Sequence, residues 1–351
     1  MVGDARISTM TAEAKVVRRF QPLFKMGEGS CAVVMRCLDL QTCQVVAVKR
    51  MRDPDSEEDI ARMDHEFRMH GRMKRAGLTE GASMLLMAFR TPKTRRLALV
   101  FRAHDITLSK RMMTRNKHWP MKEVATVLRH LLQLLARWKK HALVHADLVP
   151  ANMMFDYSSS CSPGDALKPT VIDFGMARFY GASDLWVWSD PERYLQTANY
   201  RSPEVTVQAV ELYGPAMDVW SLGCVALGLA CNRTFFRSCT GRDLLEEHVK
   251  LLGAYPDAVL DKAICLFGAF ERCGPENKWT CTLLQRPADI FVSSMLHEGC
   301  SAAFIDLMRR MLALDPRQRI EPEAALQHAF FADGQPSKQG TTTSDPGDRK
   351  E

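Results

Sequence analysis

Two stretches of this 351-residue chain place oxygen acceptors where chemistry on a phosphate needs them: HADLVPAN, from His145 to Asn152, and VIDFG, from Val171 to Gly175. Asp147, Asn152 and Asp173 stand in the order and rough spacing of a phosphoryl-transfer centre, where one acceptor orients a nucleophile and two hold magnesium. The same loop carries a departure, because Val149 follows Asp147 where such loops usually place a lysine. Upstream, MGEGSCAVV (Met26, Gly27, Glu28, Gly29, Ser30, Cys31, Ala32, Val33 and Val34) offers two glycines at which backbone amides can approach phosphate oxygens unobstructed. A lone GxG in a hairpin is more often a plain turn. VAVK (Val46 to Lys49) strengthens the phosphate reading, because Lys49 lies at a suitable distance along the next strand to neutralise phosphate. Such a lysine needs an acidic partner. Glu66 in HEFRMH, flanked by apolar Phe67 and Met69, is the first choice; Glu57 and Glu58 are the alternatives, in an acidic run that reads as exposed.

The elements that must hold these groups fall into two kinds. Apolar runs at 31–38, 44–49, 84–89 and 97–101, separated by Gly, Asp and Pro, read as strands, with one helix around 57–74 between them. After Phe101 the pattern turns helical: in 121–140, Val124, Val127, Leu128, Leu131, Leu132, Leu135 and Trp138 recur at three-and-four spacing. The expectation is an α+β protein with a small β-rich lobe and a larger α-rich lobe. Residues 1–18 read as a flexible arm and 332–351 as a disordered tail. No window approaches the ~18 apolar residues of a membrane span, and the apolar run 222–231 reads as a buried helix. The N-terminus lacks a signal-peptide core, and Val2 removes a myristoylation reading. Eleven cysteines without CxxC pairs indicate neither a disulfide framework nor a zinc site, and fit reduced thiols in the cytoplasm or nucleus. The net charge of +6 is modest, and the basic clusters at 93–96 and 110–117 lack interleaved aromatics, so nucleic acid is not an expected partner.

Further motifs follow in order: YRSPE (Tyr200 to Glu204), DVWSLGC (Asp218 to Cys224) and LDPRQRI (Leu314 to Ile320). Together with the stretches above, they make residues 20–331 resemble a eukaryotic protein kinase. The resemblance implies the two-lobed kinase fold, with an N-lobe at 19–102, a C-lobe at 103–331 and a family-type insert within 232–300. It implies ATP and Mg2+ as cofactors, Asp147 as the group that orients the hydroxyl nucleophile, and Asn152 and Asp173 as metal ligands. Lys49 would meet the α- and β-phosphates, held by Glu66, and residues 26–34 would cover the triphosphate. Ala47 and Phe101 would border the adenine, with Arg102 and His104 in the hinge. Thr197 would bond the catalytic aspartate, Glu204 would pair with Arg319, and Asp218 would cap the catalytic loop.

TANYRSPE and WSLGC resemble the branch of cyclin-dependent, mitogen-activated and dual-specificity tyrosine-regulated kinases. HAD, RYLQTANYRSPEV and MDVWSLGCV are most similar to dual-specificity tyrosine-regulated and homeodomain-interacting protein kinases, with pre-mRNA-processing kinases as competitors. From this follow protein substrates with Ser or Thr, a lean toward a following proline, a monomer, and regulation through Tyr194, whose phosphate would pair with Arg201. The chain departs from its relatives at Val149, at Ala146, at Ala32 in the glycine loop, and at His70, read as a satisfied core histidine. Two classes stay open: an active Ser/Thr kinase that autophosphorylates on Tyr194, and a weakly active or inactive nucleotide-binding scaffold.

Overall fold

The computed structural model describes residues 19–29, 32–53, 55–91, 96–115, 117–156, 167–181, 195–238, 240–283 and 290–334. Residues 1–18, the expected arm, and 335–351, most of the tail expected at 332–351, lie outside them; Ala332 to Gly334, read as the start of that tail, instead close a 3-10 helix, Ala329–Gly334. The first strands form an antiparallel five-stranded sheet in the order β1-β2-β3-β5-β4, from β1 (Phe20–Glu28), β2 (Ala32–Asp39), β3 (Gln44–Met51), β4 (Leu85–Arg90) and β5 (Leu97–Arg102), with β3 and β5 buried in its centre. One helix, α1 (Glu57–Arg75), packs on its inner face. The Ser56 hydroxyl accepts from the Asp59 amide at the N-cap, acids fill the first turn and bases the last, as the helix dipole favours. Its buried residues are Asp59 in the first turn and then Met63, Glu66, Met69, His70 and Met73, so beyond the first turn two polar side chains ride on the apolar face that meets the sheet.

Beyond β5 the chain becomes helical. A short strand β6 (Ile106–Thr107) leads into α2 (Leu108–Arg115), then α3 (Met121–Lys140), whose expected apolar face is buried throughout. Three small strands, β7 (Leu143–Val144), β8 (Met153–Phe155) and β9 (Thr170–Val171), carry the loops of the site; β10 (Arg178–Phe179) pairs back on β7. After the turn α4 (Pro203–Thr206), helix α5 (Ala216–Cys231) is buried on every side from Met217 to Cys231 and ends at Asn232 in the left-handed region. It is the axle of the larger lobe. The expected insert contains α6 (Gly241–Leu252), α7 (Asp257–Leu260), a hairpin of β11 (Phe270–Cys273) and β12 (Lys278–Cys281), and α8 (Ile290–His297); α9 (Ala302–Met311) and α10 (Pro322–Leu326) follow. Among the described residues no helix is long and apolar enough to cross a membrane.

Glu204 on α4 and Arg319 before α10 form the pair expected between them. Both side chains have no exposed surface, and two parallel bonds of 2.8 and 2.9 Å join them. Arg319 also donates to the carbonyls of Ala216 and Ala313, so all of its charge is answered inside the protein. Arg319→Met leaves a buried carboxylate unanswered and is expected to cost about 3–5 kcal/mol of stability. Chemical denaturation measures it; an unchanged midpoint would contradict the account.

Candidate active site

The loop after β7 turns sharply. Ala146 has φ 60°, a left-handed conformation that costs a residue with a Cβ about 1–2 kcal/mol. Asp218 on α5 holds the turn, its two oxygens accepting from the backbone amides of His145 (2.7 Å) and Ala146 (2.9 Å). Burial pushes the Asp218 carboxyl up to about 7 against the pull of those amides. His145 is enclosed; its Nδ1 accepts from the Asp147 amide at 3.2 Å and its Nε2 donates to Ile172 O at 3.1 Å, which fixes the neutral tautomer.

Asp147 is thereby aimed into the cleft between the lobes. Its Oδ1 accepts from the Thr197 hydroxyl at 2.7 Å and amide at 3.2 Å, and its Oδ2 accepts from Asn152 Nδ2 at 3.0 Å. Burial raises the Asp147 pKa, and the Thr197 hydroxyl opposes that rise. Asn152 lies at the end of a 3-10 turn that starts with Pro150, whose ring fits a first helical position. Val149 precedes this turn with 7% of its surface exposed, and it brings no cation to the loop.

The opposite wall comes from the sheet. Lys49 on β3 pairs with Glu66 at 2.8 Å and with Asp173 at 2.9 Å, so Glu66 is the partner chosen, while Glu57 and Glu58 are exposed. Burial works against the Lys49 charge, but the two carboxylates overcome it and raise its pKa. Burial also pushes Glu66 up to about 7, while Lys49 outweighs burial at Asp173 and lowers its pKa. Asp173 has φ 62°, tolerable for a short polar side chain, and the Gly175 amide donates to its Oδ1 at 3.2 Å. Among the described residues a Cβ added at Gly27 would meet nothing within 4 Å, so the space beside this glycine is open. Ser30 and Cys31 lie outside the described residues.

Phe174, next to Asp173, is fully buried and stacks edge-on against His145 (4.8 Å), Trp138 (5.8 Å) and His70 (5.4 Å). His70 is a correction to the sequence reading. It is a core residue, but among the described residues neither ring nitrogen has a hydrogen-bond partner, so it is not satisfied there. Burial drives its pKa down to about 4, and the unfolded chain therefore binds a proton that the fold refuses as pH falls from about 6.5 toward 4. His70→Leu is expected to stabilise the protein by about 1–3 kcal/mol near neutral pH, with a gain that grows on acidification. Melting curves at pH 7.5 and 5.5 read this; a destabilised variant at both would contradict it.

The hinge is more elaborate than expected. Phe101 and Arg102 line the cleft as read, together with Met26, Val34, Ala47 and Met154. His104 also lines it, but its carbonyl accepts from Arg36 at 3.2 Å, and its buried side chain bridges Ser83 (3.2 Å) and Asp156 (2.9 Å). Nothing in the spacing of Ser83 or Asp156 singles them out. Arg201 is buried, and its guanidinium donates to the carbonyls of Leu195 (3.1 Å) and Gln196 (3.0 Å), bracing the segment that carries Thr197. Tyr194, its expected phosphate-bearing partner, lies outside the described residues. Gln196, unremarkable in sequence, is fully engaged: its amide nitrogen donates to Met217 O and Ser221 Oγ, and its oxygen accepts from the amide and hydroxyl of Ser202.

Asn152 uses its amide nitrogen on Asp147, which leaves its Oδ1 as an acceptor, and Asp173 engages Lys49 and Gly175 through Oδ1, which leaves Oδ2. Among the described residues no cluster of three or more His, Cys, Asp or Glu side chains could cage a metal. One carboxylate and one amide oxygen suit magnesium, which keeps waters and uses few protein ligands.

Residues 20–331 match the family described as protein kinase domain. The chain belongs to the protein kinase family. It is similar to cyclin-dependent kinase-like 5 of Mus musculus, at 27% identity over 90% of this chain and 31% of the relative. It is also similar to cyclin-dependent kinase-like 1 of Caenorhabditis elegans (26%, 90% of this chain, 81% of the relative) and to cell division control protein 2 homolog 3 of Trypanosoma brucei brucei (26%, 90% and 92%). The kinase thus spans about a third of the mouse protein's length. These likenesses support the broad branch read from its motifs, and they do not single out the dual-specificity tyrosine-regulated or homeodomain-interacting kinases within it.

Proposed function

We propose that this kinase domain transfers the γ-phosphate of ATP, with magnesium, to serine or threonine hydroxyls of protein substrates. The observation that carries the reading is the convergence of Asp147, Asn152, Asp173, Lys49 and Glu66 on one cleft. Lys49 offers the α- and β-phosphates a cation held in place by Glu66. Magnesium, bound by Asn152 and Asp173, would neutralise charge on the phosphates. Asp147 accepts a hydrogen bond from the incoming hydroxyl, aligns it with the phosphorus, and takes its proton late. Thr197 fixes the rotation of that carboxylate. The loop lacks one γ-phosphate donor at Val149, which favours slow transfer and keeps the scaffold as the second reading.

The finer assignments rest on the sequence resemblance: kinship with dual-specificity tyrosine-regulated or homeodomain-interacting kinases, Tyr194 autophosphorylation, a proline after the acceptor, a monomer, and residence in cytoplasm or nucleus. Incubation with γ-labelled MgATP and a basic protein substrate tests the function. Label recovered as phosphoserine or phosphothreonine supports it; label found only as inorganic phosphate, or not transferred, contradicts it.

A further inference from the structure

The turn that follows Thr197 borders an open concavity of about 360 Å3, lined by Asn199, Arg233, Thr234 and Arg237. The chemistry at Asp147 uses none of these residues. Asn199 belongs to the 3-10 turn Ala198–Tyr200, and its side-chain amide donates to Phe236 O at 2.8 Å, which ties the turn to the loop after α5. Thr234 adds a second tie, its hydroxyl bonded to the phenol of Tyr200. The concavity is therefore fixed relative to the catalytic carboxylate: Thr197 bonds Asp147 at 2.7 Å, and Asn199 is two residues further on, at most about 7 Å along the chain. An extended substrate advances about 3.3 Å per residue, so side chains within about four positions of a hydroxyl at Asp147 can reach it.

The lining carries two cations and no acid. Two carboxylates bond this loop, and both are engaged. Glu298 meets one terminal nitrogen of Arg233 at 3.3 Å, and Glu247 accepts from the backbone amides of Arg237 (2.9 Å) and Ser238 (3.2 Å). A guanidinium has five N–H donors in a fixed fork, so the contact with Glu298 leaves Arg233 able to meet a further acceptor. Arg237 is exposed at the surface. Among the described residues no apolar side chain lines the concavity, so an apolar substrate group finds no partner in it.

We infer that Arg233 and Arg237 form a specificity subsite for an anionic side chain of the protein substrate, a carboxylate or a phosphate ester within about four residues of the acceptor hydroxyl. The guanidinium groups would hold the anion through charge-assisted bonds. Asn199 and Thr234 are positioning residues, which keep the arginine-bearing loop against the turn that carries Thr197. The inference deepens the reading of the cleft as a Ser/Thr kinase site and rests on it.

Peptides test it on the full chain: a serine in a background of alanine and glycine, with aspartate, phosphoserine, alanine or lysine placed singly at each of the four positions on either side, and kcat/KM measured with MgATP. At one position or more, an anion is expected to raise kcat/KM about tenfold over alanine, with lysine below alanine. Aspartate as good as phosphoserine assigns the subsite to carboxylates; a gain with phosphoserine alone assigns it to phosphate. Arg237→Gln should shrink the ratio of anionic to alanine peptide, and Arg233→Gln combined with Arg237→Gln should bring it close to one. Arg237→Glu should turn the preference at that position toward lysine. A general loosening of the loop would lower all peptides together and produce no such reversal. No preference for an anion at any position, or a preference that survives the double substitution, overturns the inference. Transfer to no peptide overturns the functional reading, and this inference with it.

Discussion

Asp147→Asn is expected to lower phosphate transfer about 10²- to 10⁴-fold, while the fold and the nucleotide affinity stay close to those of the unsubstituted chain. The replacement conserves volume and can still accept from Thr197, so the geometry on that side survives. What it loses is a carboxylate in contact with the reacting hydroxyl. An amide cannot take the proton, and its NH2 faces Asn152 Nδ2, donor against donor, where Oδ2 had accepted a bond of 3.0 Å. Initial rates at saturating MgATP measure the effect. Equal rates in the two proteins would remove Asp147 from the chemistry.

Val149→Lys is expected to raise the transfer rate, by as much as about 10²- to 10³-fold, the scale on which one preorganised donor at a developing charge acts. Val149 lies in the same loop as Asp147, two residues on, and Asp147 already holds Thr197. A lysine stem is long and flexible enough to carry an ammonium from this position toward the cleft. There it would meet the γ-phosphate oxygens and the catalytic carboxylate. An unchanged rate in a folded variant would show that the cation's absence does not limit this enzyme.

Much of this was legible from residue type and spacing. Lys49 and Glu66 were readable because Glu66 lies beside apolar positions of an amphipathic helix, whereas Glu57 and Glu58 lie in an acidic first turn, where the dipole favours exposed carboxylates. The α+β division followed from a change of period after Phe101, and it stands in the five-stranded sheet and the buried α5. What the sequence hid depends on the direction of a side chain. His104 lies in a hinge with no repeating pattern, and its partners Ser83 and Asp156 are 21 and 52 residues away. Gln196 owes its four buried bonds to a left-handed bend, φ 63°, that an ordinary glutamine does not announce. His70 was placed in the core correctly, but a hydrogen-bonding partner could not be read from periodicity, and none is present among the described residues.

On the proposed function, the groups that would bind nucleotide are assembled, and the deficit at Val149 falls on the chemical step. Single-turnover phosphorylation, with the ATP dissociation constant measured on the same preparations of the unsubstituted chain and Val149→Lys, tests it most directly. The expected result is the same dissociation constant in both and a much slower chemical step in the unsubstituted chain. Equal chemical rates, or a difference carried by the dissociation constant alone, would contradict it.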